Sequence, residues 1–378
     1  MFRNSRTVNI AVLTLLAMLL ICSKPAPAQN PQASSAGHKV RLEPKDYEQF
    51  APYWTAEPGW RTELQMRNNR AQGDLTVTPV LRSDNGSEFP LAPVVIAPNE
   101  IESVDLSQAI TTQAPELVGT YGSVVFRYHT EGMRNLYAAV MVFDDGHPIA
   151  FHFDAFVEAT DYDRGSREGV WWLPNGTAKD YLILTNKGKQ PLPTTLTLFD
   201  ASGRSSVLRI ALGPKTMTRY SVRELVQRAG LAGTYGGFKV VLKSRVGSLD
   251  TAYLLFDETV GFSALMKTFD RDPQGKIERR IGFPPVAEWT TRAPMLALTN
   301  PDAALGFPSG TALQPQIFVR NTTAAPVTAG LRFNWRSDAR AGTSPSSPLR
   351  LAPYETRRVD VAILQKNQVI PAEALGLC

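Results

Sequence analysis

An internal repeat constrains this chain more than any other feature. Between residues 182 and 257 it reads Leu-Ile-Leu-Thr-Asn (182–186), Leu-Thr-Leu-Phe-Asp (196–200), Leu-Gly-Pro (212–214), Gly-Thr-Tyr-Gly (233–236) and Tyr-Leu-Leu-Phe-Asp (253–257). Short segments of alternating polarity, separated by turn residues, predict antiparallel strands buried on one face. The same signals run in the same order upstream: Leu-Gln-Met-Arg-Asn (64–68), Leu75–Arg82, Ile-Ala-Pro (96–98), Gly-Thr-Tyr-Gly (119–122) and Phe-Asp-Asp (143–145). Trp54 precedes Asn68 by fourteen residues, and Trp172 precedes Asn186 by the same interval. Six residues past each proline a strand is expected, Val104–Leu106 and Tyr220–Val222, leading into a helix-like connection clearest at Arg223–Arg228. The glycine before Tyr121 or Tyr235 permits a tight corner.

A third copy begins downstream. Ile317–Asn321, Leu331–Trp335, Leu351-Ala352-Pro353 and Val359-Asp360-Val361 match the earlier signals, but no Gly-Thr-Tyr-Gly follows before Cys378. The expected fold is therefore all-β: three tandem immunoglobulin-like antiparallel β-sandwich domains, each with a short helical connection, the third incomplete at its C-terminus. The expected boundaries are 47–160, 161–272 and 286–378. A shortened gene product explains the missing end. Two alternatives are that Met295–Thr299, a strand-like segment without counterpart in the other copies, fills the vacant edge, or that a partner donates a strand. In the second copy Leu182, Leu184, Leu196, Leu198, Leu208, Ile210, Leu212, Phe238, Val240, Leu242, Leu254 and Phe256 alternate along the strands and form the expected core.

The N-terminus predicts export. Arg3 and Arg6 precede the apolar stretch Val8–Cys22, and Ala26-Pro27-Ala28 is a small-x-small cleavage site, so residues 1–28 read as a signal peptide and 29–46 as a flexible leader. A periplasmic, secreted or surface protein follows, with no membrane span expected in the mature chain. Losing Arg3, Arg6 and Lys24 lowers the formal charge from +5 to +2, too little for a nucleic-acid footprint. Cys22 leaves with the signal and Cys378 stays alone, so no internal disulfide is expected and each domain must rely on its core.

Candidate sites compete with structural readings. Asp144, Asp145, His147, His152 and Asp154 are the densest metal-capable set, with His152 and Asp154 on one face of an alternating strand. Solvated turn and strand residues explain them without a metal, and that reading is preferred. Asp161-Tyr162-Asp163, followed by Glu168, and the echo Asp270-Arg271-Asp272 resemble part of a calcium loop, but the full ligand spacing is absent and Arg164, Arg167 and Arg271 can neutralise the carboxylates. Adjacent Trp171 and Trp172 must point to opposite faces, one into the core and the other to a junction or to solvent, where it could stack on a sugar. No nucleophile elbow, zinc-protease motif, phosphate loop or dinucleotide fingerprint occurs, so neither enzyme activity nor a cofactor is expected.

On the recurring Leu-x-Leu-Thr-Asn, Leu-x-Pro and Gly-Thr-Tyr-Gly elements, the chain resembles the tandem immunoglobulin-like or fibronectin-III-like repeats of bacterial exported and surface proteins. It lacks the Cys…Trp…Cys pattern of antibody domains. The resemblance implies a spacer, adhesion or assembly module whose partner is another envelope protein or a surface glycan. A carbohydrate-binding accessory protein using exposed aromatics is the second expectation. An envelope subunit completed by a partner's strand is the third.

Overall fold

The computed structural model describes residues 43–157, 166–242, 249–266, 268–271, 296–297, 316–337, 339–372, 374 and 376–377. The expected signal peptide, most of the leader, Asp161 and Asp163 lie outside the described residues. The fold is all-β, built of antiparallel sheets with a few short helices. Among the described residues no helix is long and apolar enough to cross a membrane.

The first unit contains β1 (Lys45–Thr55), β2 (Trp60–Asn68), β3 (Leu75–Ser83), β4 (Glu88–Pro90), β5 (Val94–Ile96), β6 (Ile101–Asp105), α1 (Leu106–Gln113), β7 (Tyr121–Thr130), β8 (Leu136–Asp144), β9 (Ala150–Asp154) and β10 (Phe156–Val157). One sheet runs β10-β1-β7-β3-β4, with β5 also on β3; the other runs β6-β2-β8-β9. Their inner faces meet through Val77, Leu81, Val124 and Phe126 on one side and Leu64, Met66, Val140 and Val142 on the other, all buried.

The second unit repeats this plan in β11 (Ser166–Trp172), β12 (Lys179–Asn186), β13 (Leu192–Asp200), β14 (Ser205–Leu212), β15 (Met217–Tyr220), α2 (Val222–Arg228), β16 (Tyr235–Leu242), β17 (Leu249–Asp257), β18 (Phe262–Met266) and β19 (Phe269–Arg271). Its sheets run β14-β13-β16-β11-β19 and β15-β12-β17-β18, the first unit's order element for element. The third unit holds β20 (Leu296–Ala297), β21 (Gln316–Arg320), β22 (Val327–Ala329), β23 (Arg332–Arg336), β24 (Ala341–Pro345), β25 (Leu349–Leu351), β26 (Thr356–Asp360), α3 (Val361–Lys366) and β27 (Gly376–Leu377).

Three local devices recur and explain the sequence signals. Each Leu-x-x-x-Asn-type segment ends in a buried asparagine whose amide ties two loops together. Asn68 donates to Gly73 and Ile96 carbonyls (3.1 and 3.0 Å), Asn186 to Gln190 and Gly213 (both 2.7 Å), and Asn321 to Ala325 and Ala352 (2.7 and 2.8 Å). The side-chain oxygen of each accepts a nearby N–H, from Arg70, Gly188 or Thr323, at 2.9 Å. Each proline opens a turn whose next residue is left-handed: Asn99 (φ 63), Lys215 (φ 58) and Tyr354 (φ 59). Proline first and a positive φ second is the type II arrangement, closed here by Glu100→Ala97, Thr216→Gly213 and Glu355→Ala352 backbone bonds. Each helix then starts on a capping side chain, Asp105, Ser221 or Asp360. The expected strands Val104–Leu106 and Tyr220–Val222 are therefore the end of a strand, its cap and the first helical residue.

Several expectations change. A strand at Lys45–Thr55 precedes the first one read from the sequence and starts inside the expected leader. Trp54 corresponds to Trp171, not Trp172: each ring lies over the glycine after the corner tyrosine, Gly122 or Gly236, where a Cβ would collide with the ring and with a carbonyl of the next strand. The Leu296–Ala297 segment does have counterparts. Its strand β20 pairs with β27, and β27 with β23, the places that β11, β16 and β13 occupy in the second unit. Leu254 and Phe256 leave the second unit's core; Tyr253 and Leu255 point inward instead. The remaining core residues with described side chains stand as expected, with Leu208 and Ile210 only partly buried.

Candidate functional site

Of the five candidate metal ligands of the first unit, four form two separate pairs, and Asp145 faces Arg61 at 3.8 Å instead. Asp144 ends β8 and accepts from the N–H groups of Gly146 (2.7 Å) and His147 (3.0 Å) in the turn that follows, with His147 Nδ1 at 3.1 Å. Burial alone would raise its carboxyl; the Gly146 amide and His147 outweigh that and hold it below the usual range. His152 and Asp154 share the outer face of β9, 3.5 Å apart, and the Tyr137 hydroxyl donates to Asp154 at 2.8 Å. The register places Asp154 opposite Ala139, at the far end of β8 from Asp144. Among the described residues no three His, Cys, Asp or Glu converge as a metal site. Glu168, the distal acid of the partial calcium pattern, is buried on β11 with Lys239 Nζ at 3.3 Å.

The two tryptophans divide as the extended backbone requires. Trp171 is fully buried and donates its indole N–H to the Phe199 carbonyl at 2.9 Å. Trp172 is half-buried between Phe262 and Phe318 of the third unit, ring centroids 5.9 and 5.6 Å away.

What the structure brings together is the junction of the first two units. The outward positions of β12, β15 and β17 carry Tyr181, Ile183, Met217, Ala252, Leu254 and Phe256, and these join the first unit's hydrophobic cluster. Phe256 packs against Trp60 (5.3 Å), Phe151 (5.9 Å) and Tyr181 (6.0 Å). Beside it Arg219 reaches from β15 to Glu57 with a two-pronged pair (2.7 and 2.8 Å) and donates to the Tyr53 hydroxyl (3.1 Å). Its guanidinium carbon lies 3.5 Å from the Tyr121 ring centroid and 4.9 Å from that of Tyr181. Burial pushes the Tyr53 hydroxyl up to about 12, against the opposing charge of Arg219. Burial would also raise Glu57, but Arg219 holds it below the usual carboxylate range. The ion pair is thus fixed in its charged form, which suits a structural clamp better than proton transfer. A cleft of about 340 Å³ opens here, lined by Trp60, Tyr181, Phe256, Lys179 and Glu258 among others.

The second junction reuses the first one's backbone contact. Met217 N–H donates to the Asp84 carbonyl across the first junction at 2.9 Å, and Thr356 N–H donates to the Ala201 carbonyl across the second at 3.0 Å. Met217 and Thr356 open equivalent strands, and Asp84 and Ala201 occupy equivalent turns. The left-handed residues beside them explain why glycine was not chosen there. Lys215 bonds Glu88 of the first unit at 2.9 Å, and Tyr354 stacks on Phe199 of the second at 5.0 Å.

Glu88 makes the first junction sensitive to acid. Burial would raise its carboxyl, but Lys215 and Arg82 bring it down to about 2. A depressed carboxylate contributes stability above its unfolded value of 4.5 and loses that contribution as pH falls toward 2. Asp180 acts oppositely: burial raises it to about 6 despite the Arg223 amide and charge, so its contribution is lost as pH rises from about 4 to 6. Thermal unfolding from pH 2 to 7 is expected to show a flatter acid limb in Glu88→Gln and a flatter slope between pH 4 and 6 in Asp180→Asn.

Fold and site together define a class, an all-β chain of antiparallel sheets whose first two sets of strands repeat one order and meet through packed side chains and a backbone bond. Comparison with protein-family models, with curated proteins and with solved structures finds no match. Arg219, Glu57, Tyr53 and Lys179 belong to no motif in the sequence, and Phe256 reads there only as a core residue of its own copy. Their signal lies in the copies' differences: Tyr181, Ile183 and Arg219 replace Glu63, Gln65 and Ser103 at equivalent outward positions.

Proposed function

We propose that this protein is an exported, non-catalytic spacer or assembly module of the cell envelope, a short rod of β-sandwich units with fixed joints. The observation that carries this reading is the junction bond used twice, Met217 to Asp84 and Thr356 to Ala201. A single contact of this kind could be incidental; the same contact at the same repeat position sets a constant step between units. The first unit's opposite face supports the reading. Ile101, the counterpart of buried Met217 (2% exposed), is 61% exposed opposite Arg67, and the same face of the ladder carries Gln65 and Ser103, so among the described residues the apolar joint is not repeated there. Export is part of the same proposal and rests on residues 1–28.

Spin labels at Ile101→Cys and Ile363→Cys, in a chain starting at Gln29 and carrying Cys378→Ser, test the rod. One narrow distance distribution is expected; a broad one would remove the fixed joints. A second reading is favoured by the aromatic cleft at the first junction, where a sugar could stack on Trp60. It moves the expected glycan site away from Trp171 and Trp172. A glycan screen that loses its signal in Trp60→Ala would support it.

A further inference from the structure

One edge strand lacks the protection its counterparts have. In the first unit the strand bordering β3 is split into β4 and β5 around Pro90 and Pro93, and in the third unit β24 and β25 are separated by Pro345 and Pro348. Prolines on an edge deny a ladder its donors and guard against pairing with other chains. In the second unit β14 runs eight residues, Ser-Ser-Val-Leu-Arg-Ile-Ala-Leu, with neither proline nor glycine and with Arg209 as its one charge. It ends its sheet, pairing among the described residues with β13 alone, and Val207 on its outer face is 61% exposed.

Among the described residues, the outward hydrogen-bonding groups of this edge follow from the register. Asp200 N–H donates to the Arg204 carbonyl, and the β13–β14 register runs unbroken from there. Alternation along an antiparallel ladder then turns the N–H and C=O of Ser206, Leu208, Ile210 and Leu212 toward β13. Pro193, which has no N–H to donate, faces Ala211 in a non-bonded pair, as this assignment requires. The groups of Ser205, Val207, Arg209 and Ala211 therefore point away from the sheet.

We infer that β14 is a dimerisation edge, on which a second copy of this chain lays its own β14 antiparallel across a two-fold axis, fusing two five-stranded sheets into one. The edge is self-complementary in one register. Pairing Val207 with Arg209 of the second copy, and Ser205 with Ala211, engages all four outward-facing residues of both strands reciprocally. Sliding two residues one way sets Arg209 against Arg209 of the second copy, a like-charge pair that costs stability. Sliding the other way leaves Ala211 beyond the partner strand. In the favoured register each Arg209 stem covers a Val207, hiding the exposed apolar side chain while its charge stays in water.

Sedimentation velocity of the chain from Gln29, over micromolar to millimolar concentrations, tests this. A single strand pair is a small interface, so a weak, concentration-dependent dimer is expected. Val207→Lys places a lysine opposite Arg209 twice and is expected to weaken association about tenfold, whereas Val207→Glu keeps or tightens it. Both changes sit on an exposed face, and circular dichroism checks that the fold is intact. In the dimer the amides of Val207 and Arg209 gain hydrogen-exchange protection with rising concentration. A chain that stays monomeric throughout, equal effects of Lys and Glu, or protection of those amides in the monomer would each overturn the inference. The spacer reading does not depend on the outcome, because its joints lie within one chain.

Discussion

Replacing Asn186 with alanine is expected to destabilise the chain by about 3 kcal/mol, near the upper range for a single side chain. The residue is fully buried. Its amide donates to the Gln190 and Gly213 carbonyls, and its oxygen accepts from Gly188, so truncation strips three backbone groups of their partners. Water can reach Gln190, which is exposed, and that keeps the cost below the sum of three fully buried losses. Asn186→Asp separates the hydrogen-bond account from simple loss of volume. It preserves the size and the acceptor but turns a carboxylate toward two carbonyl oxygens, so it is expected to be at least as damaging as alanine. Urea denaturation at neutral pH checks both, read as a shift in midpoint at constant slope.

This asparagine shows what the sequence could and could not reveal. Its recurrence at 68, 186 and 321 was legible, as was the strand order, because alternation and turn chemistry are local properties. Its job was not, since its partners lie up to 31 residues away in other loops. β17 was legible as a strand too, but the choice of its inward face was not. Leu254 and Phe256 have the same apolar character as Tyr253 and Leu255, and both faces of that strand are buried, one in its own unit and one in its neighbour's. A strand buried on both sides gives no period-2 contrast to read. The tryptophan spacing misled for a similar reason. Trp171 and Trp172 are chemically equivalent, and only the cross-strand approach of Gly236 distinguishes the one that belongs with Trp54.

The candidate site was legible only by subtraction. The paired histidines and aspartates attract notice as residue types, yet they lie on the first unit's outer strand and turn without converging. The junction residues are ordinary in type. They become informative when Glu63 and Gln65 are set beside Tyr181 and Ile183, because an apolar pair at solvent-facing positions of one copy implies something packed over it.

Phe256→Ala should cost about 3–4 kcal/mol, the usual range for emptying a buried phenylalanine site. The larger claim is where that cost appears. Phe256 is carried by the second unit but buried by Trp60 and Phe151 of the first, with the Arg219–Glu57 clamp in the same junction. Its loss removes packing from a core that both units share, so the first unit must weaken along with the second. Arg219→Ala should weaken the same junction while leaving Glu57 half-buried without its clamp partner.

Native-state hydrogen exchange reads this junction most directly, by comparing the slowest amides of β7 in the first unit with those of β16 in the second. Equal opening free energies in the wild type, falling together in Phe256→Ala, are the predicted result. A decrease confined to β16, with β7 unchanged, would contradict the shared core and with it the fixed joint on which the proposed rod depends.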